Sequence, residues 1–199
     1  MAKRGLNSQQ IFEAAVKLVQ EKGYDSFSVR ELAARLEVKP ASLYNHIQGL
    51  DEVYTAIALA SADKLKKMLS HAVSGQSSDD AFLAGTLAYR QFALEHTELY
   101  KAFVRMPLLN DKAVLHVAYQ SFQPLREIIT GYGLSKRDTL NFIRGLRSVM
   151  HGFIELTNNG FMHKEEVTQE ESYEEIMRNF LHFLKTNSNQ EECSSEKKT

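Results

Sequence analysis

Apolar residues recur at helical spacing along most of this chain. The first stripe follows the i, i+3, i+4, i+7, i+8 pattern of a helix with one buried face. Its members are Ile11, Ala14, Ala15, Leu18 and Val19. No segment alternates between apolar and polar residues over the length of a strand, and no Asn-Gly hairpin turn occurs. The pattern predicts an all-α protein, whose first helix begins at Ser8 as N-cap and stops at Gly23.

Polar and glycine-containing breaks separate the later stripes. The predicted helices are 51–71, one that ends near residue 95, 97–105, 111–130 with a kink at Pro124, 135–158 and 170–185. We divide the chain into a head over 1–50, a larger helical domain over 51–187 and a polar tail over 188–199. The tail is rich in Asn, Ser, Glu and Lys, so we expect it to be disordered.

Two short helices joined by a tight turn are predicted between Ser28 and Ile47. Ser28 is an N-cap residue with Glu31 at capping-box spacing, and Pro40 suits the first turn of the second helix. Ala33 is small enough to let the two helices cross closely. The apolar positions are Leu32, Leu36, Val38, Leu43 and Ile47. This layout predicts a helix-turn-helix, in which the second helix enters the major groove of DNA.

The outward side of the second helix carries hydrogen-bond donors and no acidic residue. Ser42, Tyr44 and His46 suit phosphate oxygens, which position a protein without reading sequence. The Asn45 amide can pair bidentately with adenine, and the Ala41 methyl group suits a thymine methyl group. The predicted DNA-binding residues are Ser28, Arg30, Lys39, Pro40, Ala41, Ser42, Tyr44, Asn45 and His46.

Three runs in this region resemble the N-terminal domain of the TetR family of regulators. They are Glu21-Lys-Gly-Tyr24, Ser28-Val-Arg-Glu-Leu-Ala33 and Ser42-Leu-Tyr-Asn-His-Ile47. The resemblance covers about residues 6–55. It implies a homodimer of all-α subunits, each with a three-helix DNA-binding head and a larger ligand-binding and dimerisation domain. It also implies a bacterial cytoplasmic repressor without a cofactor, which a small-molecule effector of unknown identity releases from a pseudo-palindromic operator.

Two positions depart from the family pattern. Glu37 stands in the turn where the family usually has glycine, which places a backbone cost or a non-glycine conformation there. Gly49 stands where a phosphate-binding lysine is usual, near the start of the fourth helix. We expect DNA affinity below the family norm.

The helices near the end of the chain suggest a dimer interface. Gly145, Ser148 and Gly152 share one helix face and would allow a close approach by another helix. Together with Ile176, Phe180 and Phe183 on the last helix, they predict a four-helix interface between two copies. The run His151-Gly-Phe-Ile-Glu-Leu156 resembles the His-Gly motif of one class of C-terminal regulatory domains in the family.

Aromatic residues concentrate in the middle helices, where they would line a ligand cavity or simply form the core. Arg90 and Arg126 are the candidate arginines there, and one that pointed inward would suit an anionic group, although a surface position is the default for Arg. The predicted pocket residues are Arg90, Phe92, Phe103, His116, Tyr119 and His151.

Composition excludes several other classes of protein. The net charge is −1 and 43% of residues are hydrophobic, as in an ordinary globular protein. The single cysteine, Cys193, cannot form an intramolecular disulfide, which fits a reducing cytosol. No membrane span, signal peptide, metal-ligand spacing or catalytic motif is recognisable, so we expect neither a membrane partner nor an enzyme. The alternative to a DNA-binding regulator is a helical ligand-binding or adaptor protein with weak or lost DNA binding.

Overall fold

The computed structural model describes residues 6–162 and 166–196, with side chains to residue 187. Within these ranges the chain forms ten α-helices and one 3₁₀ turn and no strand, which confirms the all-α prediction. The helices are α1 (Ser8–Lys22), α2 (Val29–Arg35), α3 (Pro40–Leu43), α4 (Leu50–Val73), α5 (Ser78–Glu95), α6 (Thr97–Val104), α7 (Lys112–Ser121), α8 (Gln123–Thr130), α9 (Lys136–Asn158) and α10 (Gln169–Glu196); the 3₁₀ turn is Met106–Leu109.

The N-cap of α1 is Asn7 rather than the predicted Ser8. The Asn7 side chain accepts a hydrogen bond from the Gln10 backbone N–H at 2.9 Å. The Gln10 side-chain oxygen accepts one from the Asn7 N–H at 3.1 Å. This reciprocal pair satisfies two backbone donors at once, so it fixes the helix start one residue earlier. The predicted stop is confirmed, because Gly23 caps α1 with a φ of 100°.

Two predictions for the later helices are wrong. The expected kinked helix over 111–130 is two helices, α7 and α8, separated at Phe122. Pro124 lies in the first turn of α8, where no backbone N–H is needed. The last helix extends to Glu196 instead of ending near Lys185. Residues 186–196 contain neither Gly nor Pro to stop the helix, and extending an existing helix needs no new nucleus.

The chain forms two compact units. The first unit comprises Met1–Leu65 with Phe92–Ser121, and the second comprises Lys66–Gln91 with Phe122–Thr199. These units do not follow the predicted boundary at residue 50, because the long helices α4 and α5 each continue from one unit to the other.

Each unit has its own apolar core. Buried side chains of the first unit include those of Ile11, Leu18, Leu32, Leu43 and Ile57. The second unit buries Phe82, Phe122, Leu146, Met150 and Tyr173. The Tyr173 hydroxyl is satisfied inside this core, since it donates to the Thr86 carbonyl oxygen at 2.9 Å. Among the described helices, none is both long and apolar enough to cross a membrane.

Candidate nucleic-acid interface

The turn between α2 and α3 is closed by backbone hydrogen bonds around a left-handed residue. The Glu37 N–H donates to the Ala34 carbonyl oxygen at 3.1 Å, and the Val38 N–H donates to the Ala33 carbonyl oxygen at 3.0 Å. This pair of bonds is the Schellman arrangement, which places the residue after the C-cap in the left-handed region. Glu37 occupies that position with a φ of 55°. The turn therefore has a backbone conformation that favours glycine, although the residue in it is a glutamate.

Glu37→Gly is expected to stabilise the fold by about 0.5–1 kcal/mol. A non-glycine residue in the left-handed region costs roughly 1–2 kcal/mol, and the greater freedom of glycine in the unfolded chain offsets part of the gain. Urea denaturation at fixed protein concentration measures the change. Glu37→Ala is the matched control, because it removes the carboxylate but keeps the Cβ atom. A stability increase for Ala equal to that for Gly would show that the charge, not the backbone, is responsible.

The segment after the turn presents the predicted contact residues together. Leu43 is fully buried and Ile47 nearly so. The helix itself, Pro40–Leu43, is shorter than predicted. The chain nevertheless continues to curl, since the His46 and Ile47 N–H groups both donate to the Leu43 carbonyl oxygen. The side chains turned outward are those of Lys39, Pro40, Ala41, Tyr44, Asn45 and His46, with Ser42 half-buried.

The other two predicted contacts lie at the start of α2. Arg30 is exposed. The Ser28 hydroxyl is already used as the cap, because it accepts from the Glu31 N–H at 3.3 Å and donates to the Glu31 carboxylate at 3.1 Å. A phosphate contact by the Ser28 side chain would have to replace the second of these bonds.

The corner between α1 and α2 is fastened to α6. The Glu98 carboxylate accepts from the Tyr24 backbone N–H at 2.6 Å and from the Lys101 Nζ at 2.8 Å. Arg105 pairs with Asp25 at 2.5 Å, and its guanidinium lies 5.2 Å from the centre of the Tyr24 ring. Sequence reasoning missed these contacts, and no local signal would have revealed them, because the partners lie 74 and 80 residues apart.

The ionisation of Glu98 and Asp25 favours the contacts between the α1–α2 corner and α6. Burial alone would raise the pKa of Glu98, but the hydrogen bonds from Lys101 and from the Tyr24 N–H lower it below its ordinary value. The hydrogen bond from Arg105 lowers the pKa of Asp25. Both carboxylates are therefore charged at neutral pH, and the head keeps its attachment to α6 there.

Comparison with known proteins assigns the chain to a family. Residues 11–57 match the family described as "Bacterial regulatory proteins, tetR family", and residues 82–180 match "Tetracyclin repressor-like, C-terminal domain". The HTH-type transcriptional regulator YobS of Bacillus subtilis is 30% identical over 92% of this chain and 95% of its own length. A regulator of the same description from Mycobacterium tuberculosis is 32% identical over 79% of this chain and 72% of its own. The chain belongs to the TetR family.

The fold of this TetR-family protein is also found among solved structures. BioQ, crystallised with its natural double-stranded DNA operator, has a TM-score of 0.64 and 18% identity, covering 92% of this chain and 99% of its own. The family assignment makes the chain a DNA-binding transcriptional regulator. Gly49 lies within the matched range, where the resemblance led us to expect a phosphate-binding lysine.

Gly49→Lys is expected to raise DNA affinity several-fold and to steepen its salt dependence by about 0.9 for each phosphate gained. A Cβ atom added at Gly49 meets nothing within 4 Å, so the substitution fits without displacement. Fluorescence anisotropy at several salt concentrations measures both quantities. Gly49→Gln is the control of similar length without charge. An unchanged slope for the lysine variant would show that residue 49 does not reach the DNA backbone.

The predicted dimer residues lie at the surface of the second unit of this TetR-family protein. Gly145, Ile176, Phe180 and Phe183 line a cleft of about 840 Å³ between α9 and α10. Ser148 and Gly152 are exposed farther along α9. Tyr173, Met177 and Leu184 of α10 face the core of this unit, whereas Phe183 is 51% exposed in the single chain.

The predicted pocket residues are divided between the two units. Phe92 and Phe103 are buried in the first unit with their ring centres 6.4 Å apart. His116 and Tyr119 are exposed on α7, so neither lines an enclosed cavity within its own unit. Helical spacing identified an aromatic stripe but did not show which side of α7 faces inward.

The other two pocket residues belong to the second unit. The Arg90 guanidinium lies 5.7 Å from the centre of the Tyr173 ring. The His151 Nε2 lies 2.9 Å from the Tyr89 hydroxyl. Neither contact joins Arg90 to His151, and the role of both residues in ligand binding stays a prediction.

Proposed function

We propose that this TetR-family regulator reads a pseudo-palindromic operator with the residues that surround α3. The proposal rests on one observation: this short segment has a buried side and an exposed side. Leu43 and Ile47 anchor it in the core, while Lys39, Tyr44, Asn45 and His46 are exposed together. A rigid support beneath a row of polar side chains is what base and phosphate contacts require.

The exposed residues have different proposed roles. Asn45 contacts a base, because its amide matches the donor and acceptor pattern of adenine in the major groove. Ala41 contacts a thymine methyl group. Lys39, Ser42, Tyr44 and His46 hold phosphates, and Ser28, Arg30 and Pro40 support the flanking backbone contacts. Residues that bind phosphate set affinity for any DNA, whereas Asn45 sets preference for one sequence.

We also propose that two copies pair through the cleft between α9 and α10. Its walls combine Phe142, Phe180 and Phe183 with Gly145, where a Cβ atom would lie 4.0 Å from the Phe180 ring. The rings of Phe142 and Phe183 stack with centres 5.9 Å apart. An open apolar surface of this kind is unfavourable in water and is covered when the same face of a second copy meets it.

The proposed regulation is repression relieved by a small molecule in a bacterial cytoplasm. The match of residues 82–180 to a tetracycline repressor-like domain supports it, as does the operator-bound structure of BioQ. DNase I footprinting on the DNA beside the protein's own gene tests the function. We expect two protected half-sites about one helical turn, roughly 34 Å, apart. Uniform protection without sequence preference would instead favour the ligand-binding or adaptor alternative.

A further inference from the structure

Three helices of the second unit bring a group of polar and aromatic side chains together. Tyr89 comes from α5, Phe122 and Arg126 from the start of α8, and Arg147 and His151 from one face of α9. The Tyr89 ring stands edge-on to both the Phe122 ring and the His151 ring, with centres 6.2 and 5.5 Å away. These contacts hold the group in one arrangement, which we call the Arg147 cluster.

Arg147 is the member of the cluster that the protein leaves without a polar partner. Its guanidinium lies 5.5 Å from the centre of the Phe122 ring and is half-buried. Within the part of the chain that the structure describes, it forms no hydrogen bond and no ion pair. A guanidinium has five N–H donors arranged to match a carboxylate or phosphate, and no protein group occupies those of Arg147 in the described residues.

The charges around Arg147 are unfavourable to it in the absence of a ligand. Burial is the larger cause that lowers the pKa of Arg126, and the positive charge of Arg147 is the smaller one. The two guanidinium groups therefore repel each other. Burial and the same charge lower the pKa of His151 to about 4, which keeps the imidazole neutral at pH 7. A neutral His151 adds no positive charge to the cluster.

We infer that the Arg147 cluster binds the acidic group of the effector, and that the effector is an organic acid. The inference rests on the proposed function, because it names the chemical class of the molecule that relieves repression. An anion at Arg147 would occupy the unused donors and offset the repulsion from Arg126. The Phe122 ring lies against the half-buried guanidinium, and reduced contact with water strengthens such a pairing.

Calorimetric titration of the full-length protein without DNA tests the site. The probes are benzoate and octanoate, each compared with its uncharged amide, at constant ionic strength. We expect the acids to bind and the amides to bind at least tenfold more weakly. Arg147→Gln should lower the affinity for the acids by roughly tenfold to a hundredfold. Arg144→Gln, an exposed arginine on the same helix, is the matched control and should bind like the wild type.

Several outcomes would overturn the inference. They are no binding of either acid by the wild type, equal binding of acids and amides, and wild-type affinity in Arg147→Gln. Arg147→Lys guards against a folding defect, because it keeps the charge but loses the two-pronged geometry and should bind with intermediate affinity. A failure of this inference is distinguishable from a failure of the proposed function. If the protein gives operator footprints but binds no acid, only the acid site at the Arg147 cluster is rejected. Acid binding without any DNA sequence preference rejects only the regulator.

Discussion

Phe183→Glu is expected to convert the protein from a dimer to a monomer and to weaken operator binding by at least a hundredfold. Phe183 is 51% exposed in the single chain, so a glutamate there reaches water and the fold loses mainly the stacking contact with Phe142. In the proposed dimer the same position is covered, and two buried carboxylates would face the apolar cleft at a cost of several kcal/mol. A monomer holds only one half-site, and the benefit of binding both at once is typically 10²–10⁴ in affinity.

Light scattering and operator titration measure the two effects of Phe183→Glu. The wild type should give twice the 22.6 kDa mass of one chain at micromolar concentration, and the variant should give that of one chain. His182→Glu adds the same charge at the neighbouring exposed residue, which does not line the cleft, and should remain dimeric. A wild type with the mass of one chain, or a dimeric Phe183→Glu, would place the interface elsewhere.

Asn45→Ala is expected to remove about 1–3 kcal/mol of discrimination at one base pair in each half-site. The side chain is exposed and contributes little to the fold, so the loss should appear in sequence preference and not in stability. Because a dimer uses both half-sites, an operator changed symmetrically at that base pair doubles the effect. Competition titrations against operators with every base at each position measure it.

The pattern of loss distinguishes base reading from phosphate binding. Lys39→Ala is the comparison, because loss of a phosphate contact should weaken binding to all sequences alike and reduce the salt slope by about 0.9 for each contact. If Asn45→Ala weakens binding to all DNA sequences equally, the Asn45 amide binds the DNA backbone. If it changes nothing, a different residue of the exposed row reads the base.

The helix-turn-helix could be predicted from sequence because its determinants are local. Ser28 and Glu31 are three residues apart, and the alternation of buried Leu43 and Ile47 with exposed Tyr44, Asn45 and His46 follows from one short curl of backbone. The unusual Glu37 turn was also foreseeable, since the position requires a left-handed residue whatever side chain it carries.

Contacts between distant segments could not be predicted in the same way. Nothing near Tyr24 in the sequence indicates that its N–H donates to Glu98, and the apolar stripe of α10 does not show which side faces the core. Phe183 and Leu184 are adjacent and equally apolar, yet one is exposed and the other fully buried. Such differences depend on where α9 runs, and helical periodicity within one element does not contain that information.

We propose that the exposed row around α3 gives this TetR-family regulator its preference for one DNA sequence. The most direct measurement is the ratio of dissociation constants for the footprinted operator and a scrambled duplex of equal length and composition, at one fixed near-physiological salt concentration. We predict a ratio of at least about 10³, as specific regulators show. We also predict that the ratio falls in Asn45→Ala while the affinity for the scrambled duplex stays constant. A wild-type ratio near one would contradict this role of the exposed row.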